Sequence, residues 1–446
     1  MIQELDCFKA YDIRGRVPEQ LNADIAYRIG RAFAAHLKPK RVVVGFDIRL
    51  TSQELCAALS RGLTEGGADV TNIGQCGTEE IYFATSHLGY EGGIMVTASH
   101  NPADYNGMKF VREGSLPVSA DTGLLAIKEL AEKNDFAEPA MRGSIDFADL
   151  RGAYLAKLLS FVDVDKLKPL KIVCNAGNGG AGATIDLLEP LLPFEIIRVH
   201  HEPDGHFPNG VPNPMLEENR APTTAAILES KADLGIAWDG DFDRCFFFDE
   251  NGRFIEGYYL VGLLAQVFLD AEPGAKIVHD PRLTWNTQEI VAAAGGEAIQ
   301  SMTGHAYMKE SLRADKAVYG GEMSAHHYFR DFYYSDSGMV PWLLVTALMA
   351  ATGKRLSQLV DERMQAFPAS GEINRTIANP AALLAATRAR YESAALAVEN
   401  VDGLFDFPRH LLRQALQPFR AGDCHVCYTI LNWLILKGHD EQPFCF

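Results

Sequence analysis

The sequence predicts an α/β protein: three similar mixed α/β sandwich modules plus a smaller α+β C-terminal domain around a central cleft. Three observations carry this. Apolar strands start at residues 41, 171 and 276, and each runs into a polar turn and then a helix, the alternation that puts helices on both faces of a mixed or parallel sheet. The recurrence of that form implies triplication of one unit. The chain, at 446 residues, is also longer than one core usually supports. We place the boundaries at 1–150, 151–256, 257–368 and 369–446.

Composition narrows the function. Apolar residues make up 47% of the chain and the formal net charge is −17, so cores are ample, and a nucleic-acid partner, which needs a basic face, is not expected. Anionic ligands must rely on local Arg, Lys and His. The start, Met1-Ile2-Gln3-Glu4-Leu5-Asp6, has no basic region ahead of an apolar core, which predicts a cytoplasmic protein. The longest apolar run, 339–351, contains Pro341 and is too short to span a bilayer. It predicts a buried helix and no membrane role. Eight cysteines are scattered without a paired framework, so reduced thiols are the default. Cys424-His425-Val426-Cys427 is too small for a tetrahedral zinc site without distant ligands.

In the first module, Arg14 precedes Gly15 in a turn that presents its side chain. A strand over 41–47, a helix over 52–66, a strand over 69–73 and a helix over 78–88 then lead to the apolar run Gly92-Gly93-Ile94-Met95-Val96. That strand stops at Thr97-Ala98-Ser99-His100-Asn101-Pro102. The residue before proline avoids the helical region, so Ser99 and His100 sit on a loop at a strand's carboxyl end, where open α/β sheets place ligands. A plain polar turn fits the same residues. Asn106-Gly107-Met108-Lys109-Phe110 returns to that edge, a helix follows over 121–133, and 138–149 reads as a linker.

The second module opens with a strand over 171–175 and a glycine-rich stretch, 176–182. Neither the dinucleotide spacing nor a Walker lysine is met, so the glycines read as a tight turn. The buried-type strand 234–238 ends in Asp239-Gly240-Asp241-Phe242-Asp243-Arg244. Three alternating carboxylates repel one another unless a cation sits among them, and hard oxygen ligands suit Mg²⁺ or Ca²⁺; an acidic surface turn is the other reading. A hairpin over 246–255 closes on Asn251-Gly252. In the third module a helix over 257–270 and a strand over 276–280 lead to Arg282, Gly304 and His305 on loops. Tyr319-Gly320-Gly321-Glu322-Met323-Ser324 then ends another strand. The fourth segment reads as a strand over 372–377, a helix over 380–397 and a further run, 401–407.

The serine and aspartate stretches, in this order, resemble the α-D-phosphohexomutase superfamily, and the resemblance covers residues 1–407. It implies that Ser99 carries a phosphoryl group and that Asp239, Asp241 and Asp243, with Ser99, hold one Mg²⁺. It further implies phosphate transfer between the 1- and 6-hydroxyls of a hexose through a bisphosphorylated intermediate, with hexose 1,6-bisphosphate as activator. By the same resemblance Arg14, His100 and Lys109 belong to the catalytic set and His305 is a candidate for proton transfer. Arg244, Arg282, Gly304, Glu322, Ser324 and His326 meet the phosphosugar. Met between Glu322 and Ser324 is similar to the bacterial mannose-preferring branch, which implies interconversion of mannose 6-phosphate and mannose 1-phosphate, feeding GDP-mannose synthesis, by a monomer or homodimer.

Two departures stand out. The family usually has Gly-His after this serine, and here Ala325-His326 stands. Beyond Phe407 no residues match the family's clamp for the non-reacting phosphate, which predicts a weak or impaired mutase, through a shifted reading frame or a divergent end. Glucose phosphates remain an alternative substrate. A metal-dependent sugar phosphatase and a non-catalytic phosphosugar-binding paralogue remain rival classes.

Overall fold

The computed structural model describes residues 4–369, 379–391, 395–399 and 405–408. The predicted strand over 372–377, the Cys424–Cys427 cluster and the clamp region lie outside the described residues. In chain order, the first module contains β1 (Ile13–Arg16), α1 (Ala23–Leu37), β2 (Arg41–Phe46), α2 (Ser52–Glu65), β3 (Asp69–Gln75), α3 (Thr78–Leu88), β4 (Gly92–Val96), β5 (Tyr105–Arg112), β6 (Leu116–Pro117), α4 (Leu124–Lys133) and β7 (Ile145–Phe147). Its sheet runs β1-β5-β4-β2-β3-β7, with β6 on β5. Parallel β2, β3 and β4 are joined by helical crossovers, while β5 returns antiparallel along β4, pairing Ile94 with Phe110. Every residue of β4 is buried, as a strand covered on both faces requires.

The second module holds α5 (Arg151–Leu159), β8 (Leu170–Asn175), α6 (Ala181–Leu188), β9 (Phe194–Val199), α7 (Ala221–Ser230), β10 (Leu234–Trp238), β11 (Cys245–Phe248) and β12 (Phe254–Ile255), in the order β12-β11-β10-β8-β9. The third holds α8 (Gly257–Ala271), β13 (Lys276–His279), α9 (Trp285–Ala293), β14 (Glu297–Gln300), α10 (His305–Asp315), β15 (Tyr319–Gly321), β16 (His327–Phe329), β17 (Ser335–Asp336), α11 (Val340–Thr352) and α12 (Leu356–Ala366), in the order β14-β13-β15-β16-β17. In both, a parallel set turns antiparallel at the edge that carries the functional loop. Beyond them lie α13 (Pro380–Tyr391), β18 (Ala395–Glu399) and β19 (Phe405–Pro408), the last two paired antiparallel.

The helix expected over 380–397 therefore stops at Tyr391, and its last residues belong to a strand. Two other expectations are corrected. The helix expected from 121 starts at Leu124, because Gly123 at φ 138° separates a short 3₁₀ turn from the α-helix. The linker 138–149 contains β7, which extends the sheet by pairing with β3. The run 339–351 forms α11, buried over most of its length with Pro341 in its first turn, where a missing N–H costs nothing. No helix among the described residues is long and apolar enough to cross a membrane. The five cysteines among them are free and buried.

The cores are not three equal units. Phe33, Ile94 and Phe110 centre one cluster inside the first module, whereas one continuous cluster spans the second and third through Trp238, Phe247, Leu264 and Trp342.

Candidate active site

Three loops meet, each at the carboxyl end of a strand: 97–102 after β4, 239–244 after β10 and 322–326 after β15. Backbone bonds tie the aspartate loop to the start of α3 and to the 322–326 loop. The Thr78 N–H donates to Asp241 O at 3.1 Å, Cys245 N–H donates to Ala325 O at 3.1 Å, and Arg244 bridges His326 in antiparallel register. Two glycines allow the approach. A Cβ on Gly240 would lie 2.5 Å from Ser99 O, and one on Gly77 would lie 2.2 Å from the Phe242 ring.

Ser99 sits in a left-handed turn, φ 48°. Its N–H donates to Thr97 Oγ1 at 2.9 Å, and its Oγ donates to Asp239 Oδ2 at 2.6 Å with His100 Nδ1 at 3.1 Å. Asp239, Asp241 and Asp243 are buried and bring one oxygen each within 4.8 Å of the others. Lys109 Nζ bridges Asp241 Oδ2 at 2.8 Å and Asp243 Oδ2 at 2.5 Å. Asp241 Oδ1 and Asp243 Oδ1 are buried without a hydrogen bond among the described residues, although His326 Nε2 lies 3.4 Å from the latter. Buried carboxylate oxygens that lack donors, converging beside a serine hydroxyl, fit a hard divalent cation.

The electrostatics agree with that fit. Burial pushes the Asp239 carboxyl up to about 7, and repulsion from Asp241 and Asp243 adds to it. Burial works against ionised Asp241 and Asp243, and Asp243 repels Asp241, but Lys109, joined by Thr78 at Asp241 and by His326 and Arg244 at Asp243, outweighs this and both lie below the usual carboxylate range.

In the third module, Glu322 accepts from Gly304 N–H at 3.0 Å and Tyr328 OH at 2.6 Å, and His326 Nδ1 lies 3.2 Å away. Burial and Arg244 oppose a charge on His326, yet Asp243 and Glu322 hold its pKa up to about 9. Arg282 donates to Asp280 at 2.8 Å and reaches Ser324 Oγ at 3.5 Å, with Glu322 at 3.7 Å. Arg244 Nε lies 3.1 Å from His326 Nε2. Arg14 pairs with Asp12 at 3.1 Å and donates to Thr97 O. His305 opens α10 with neither ring nitrogen hydrogen-bonded among the described residues; burial, with Lys309 and Lys109 nearby, keeps it neutral. Tyr11 packs edge-on against its ring at 5.5 Å.

Each site residue expected from the sequence thus lies on or beside these three loops. Sequence reasoning missed Thr78, whose Oγ1 donates to Asp241 Oδ2 at 2.5 Å, and Tyr328. It also missed Arg49, and for that residue Asp47-x-Arg49 at a strand's carboxyl end was a usable signal.

Comparison with known proteins agrees with this architecture. Sequence models of the phosphoglucomutase/phosphomannomutase α/β/α domains I, II and III match residues 6–138, 152–252 and 256–367. The chain is 59% identical over 410 residues to a Salmonella montevideo protein named phosphomannomutase, and 57% identical over 410 residues to one from Escherichia coli K12, covering 90% of each chain in both cases. A solved phosphoglucomutase/phosphomannomutase family protein from Burkholderia thailandensis superposes with a TM-score of 0.81 at 32% identity, covering 92% of this chain and 89% of that one. With three domain models matched in order and relatives near 60% identity, the chain belongs to the phosphoglucomutase/phosphomannomutase family of the α-D-phosphohexomutase superfamily.

Proposed function

We propose that the chain is a phosphomannomutase that interconverts mannose 6-phosphate and mannose 1-phosphate, with Ser99 as phosphate carrier. The observation that carries this is the Ser99 hydroxyl, held in a left-handed turn 2.6 Å from Asp239 and beside carboxylate oxygens that have no hydrogen bond among the described residues. Its relatives' names support the substrate.

In this reading a sugar hydroxyl attacks the phosphorus of phospho-Ser99. The new O–P bond forms as the Ser99 Oγ–P bond breaks, giving a hexose 1,6-bisphosphate that turns over and returns its other phosphate to Ser99. Mg²⁺ on Asp239, Asp241, Asp243 and Ser99 would supply positive charge against the transferring phosphoryl oxygens. Lys109, already between two carboxylates, adds fixed positive charge there, and Arg14 holds the carbonyl of Thr97 at the base of the loop. Glu322 accepts from sugar hydroxyls and Ser324 offers its own hydroxyl. The raised His326 carries a proton it can donate, and His305, which burial beside Lys309 and Lys109 makes a weak base, is the candidate for proton transfer named by the family resemblance. Arg244 and Arg282 hold phosphate.

The test is a coupled assay of mannose 6-phosphate formation from mannose 1-phosphate, with catalytic hexose 1,6-bisphosphate and Mg²⁺, repeated with glucose 1-phosphate. The parent should turn over and carry one phosphate by intact mass, and Ser99→Ala should lose the phosphate and at least ~100-fold in kcat. Parental turnover in Ser99→Ala would sink the assignment. Phosphate release to water without isomerisation would favour a phosphatase.

A further inference from the structure

We infer that Arg49 is a positioning residue for phosphoryl transfer, its guanidinium setting the left-handed turn that presents the Ser99 hydroxyl; this rests on the reading of Ser99 as phosphate carrier. Arg49 lies just past the end of β2 at the same sheet edge as the serine loop, and is 3% exposed. Its Nη1 donates to the carbonyls of Pro102 at 2.7 Å and Tyr105 at 2.9 Å. Its Nη2 donates to those of Ser99 at 2.9 Å and Asn101 at 2.5 Å. All four terminal N–H groups are thereby spent on one turn. Nε faces Asp47 at 3.5 Å, and Asp47 is itself held by Ser52 Oγ at 2.5 Å and by the Arg49 N–H at 3.0 Å.

A loop whose carbonyls converge inward needs a donor at their centre, since each buried carbonyl left unmade costs about 1–3 kcal/mol. A left-handed φ at a residue with a Cβ adds about 1–2 kcal/mol. The planar fork meets both demands at once. A lysine has three donors on one point and cannot span carbonyls spread from 99 to 105. The Ser99 carbonyl is also enclosed from the far side by Gly240, where a Cβ would come within 2.5 Å. Moving that carbonyl would therefore turn the serine relative to the aspartate loop. From the second module the Phe207 ring covers the guanidinium at 5.2 Å, so the lid on this device belongs to a different module from its base. Among the described residues no hydrogen bond or ion pair joins Arg49 to the Ser99 Oγ, so its influence runs through the turn.

The experiment mixes dephosphorylated protein with hexose 1,6-bisphosphate and Mg²⁺, follows phosphate on Ser99 by quenched intact mass, and measures kcat and KM for mannose 1-phosphate. Arg49→Lys should phosphorylate at least ~10-fold more slowly per folded molecule and lose kcat to match, with KM within about threefold. A purely structural role would lower the melting temperature and leave the rate per folded molecule unchanged. Labelling within about twofold of the parent therefore overturns the inference, whatever the melting temperature. Should Arg49→Lys fail to fold, Phe207→Leu keeps the guanidinium and removes its cover. A slowing of roughly threefold is expected there, and a parental rate overturns the inference. A parent that gains no phosphate removes the Ser99 reading first, a result distinct from either variant's.

Discussion

At the scale of single residues, Ala325 tests how much backbone strain this site holds. It has φ 70° and is 1% exposed against Phe246 and its neighbours, where the family usually has glycine. Glycine would relieve about 1–2 kcal/mol of left-handed strain. It would also remove a buried methyl worth about 0.8 kcal/mol and widen the unfolded ensemble by about 0.4–1 kcal/mol. The terms nearly cancel, so Ala325→Gly should change the unfolding free energy by less than about 1 kcal/mol, while β-branched Ala325→Val should cost at least ~2 kcal/mol. Denaturant midpoints decide it, and a gain above ~2 kcal/mol for glycine would mean that the methyl contributes nothing. Ser99 and the three aspartates were legible because their chemistry needs consecutive residue types in a short stretch. Arg49 and Thr78 act on a distant turn and a distant carboxylate; Asp47-x-Arg49 at a strand's carboxyl end flags the arginine, but nothing local to either residue names the partner.

At the scale of elements, the join between α3 and α11 shows what the pattern of strands and helices leaves out. Glu79 is buried in the first turn of α3, and its Oε1 accepts from Tyr154 OH at 2.5 Å and Ser337 Oγ at 2.8 Å. Its Oε2 accepts from Gly338 N–H at 2.5 Å and Met339 N–H at 3.1 Å. One carboxyl thus links α3 of the first module, α5 of the second and the start of α11 in the third, where it meets N–H groups that no helix can satisfy internally. Burial pushes its pKa up to about 8 even against four donors, so a neutral isostere should replace it tolerably. In Glu79→Gln the amide can face the two hydroxyls, which rotate to accept, and its oxygen can keep the two backbone donors. We expect a loss of about 1 kcal/mol for glutamine and at least ~3 kcal/mol for Glu79→Ala, which strands four buried donors. Equal losses in urea unfolding would refute the role. The periodicity located α2, α3 and α8 closely, since each is bounded by polar or glycine residues. It lost the first turn of α4 to Gly123 and took β7 for a linker, because a three-residue edge strand with every side chain exposed carries no burial signal.

At the scale of the whole molecule, the three α/β modules were legible and the joint core was not. The contact of Phe194 with Trp342, ring centres 6.0 Å apart, pairs residues nearly 150 positions apart and leaves no periodic trace. The second and third modules, which share a core, also meet through polar groups at the cleft, so charge there contributes to how they hold together. His326 is the test. It stands on the third module between Glu322 of its own loop and Asp243 and Arg244 of the second, with Ser324 Oγ at 3.4 Å. Its pKa is about 9 against an ordinary 6.5. Because the folded state binds this proton more tightly, the stabilisation is fully present below pH 6.5 and is lost as pH rises through 9. The full shift corresponds to at most about 3 kcal/mol. In chelator, so that no cation competes for Asp243, the stability difference between parent and His326→Gln should shrink progressively from pH 6.5 to 9. Added Mg²⁺ should reduce it at the acidic end, because a cation among the aspartates repels the imidazolium. A difference that stays constant across that range in chelator would show that His326 is neutral in the folded protein and that the modules are joined without its charge.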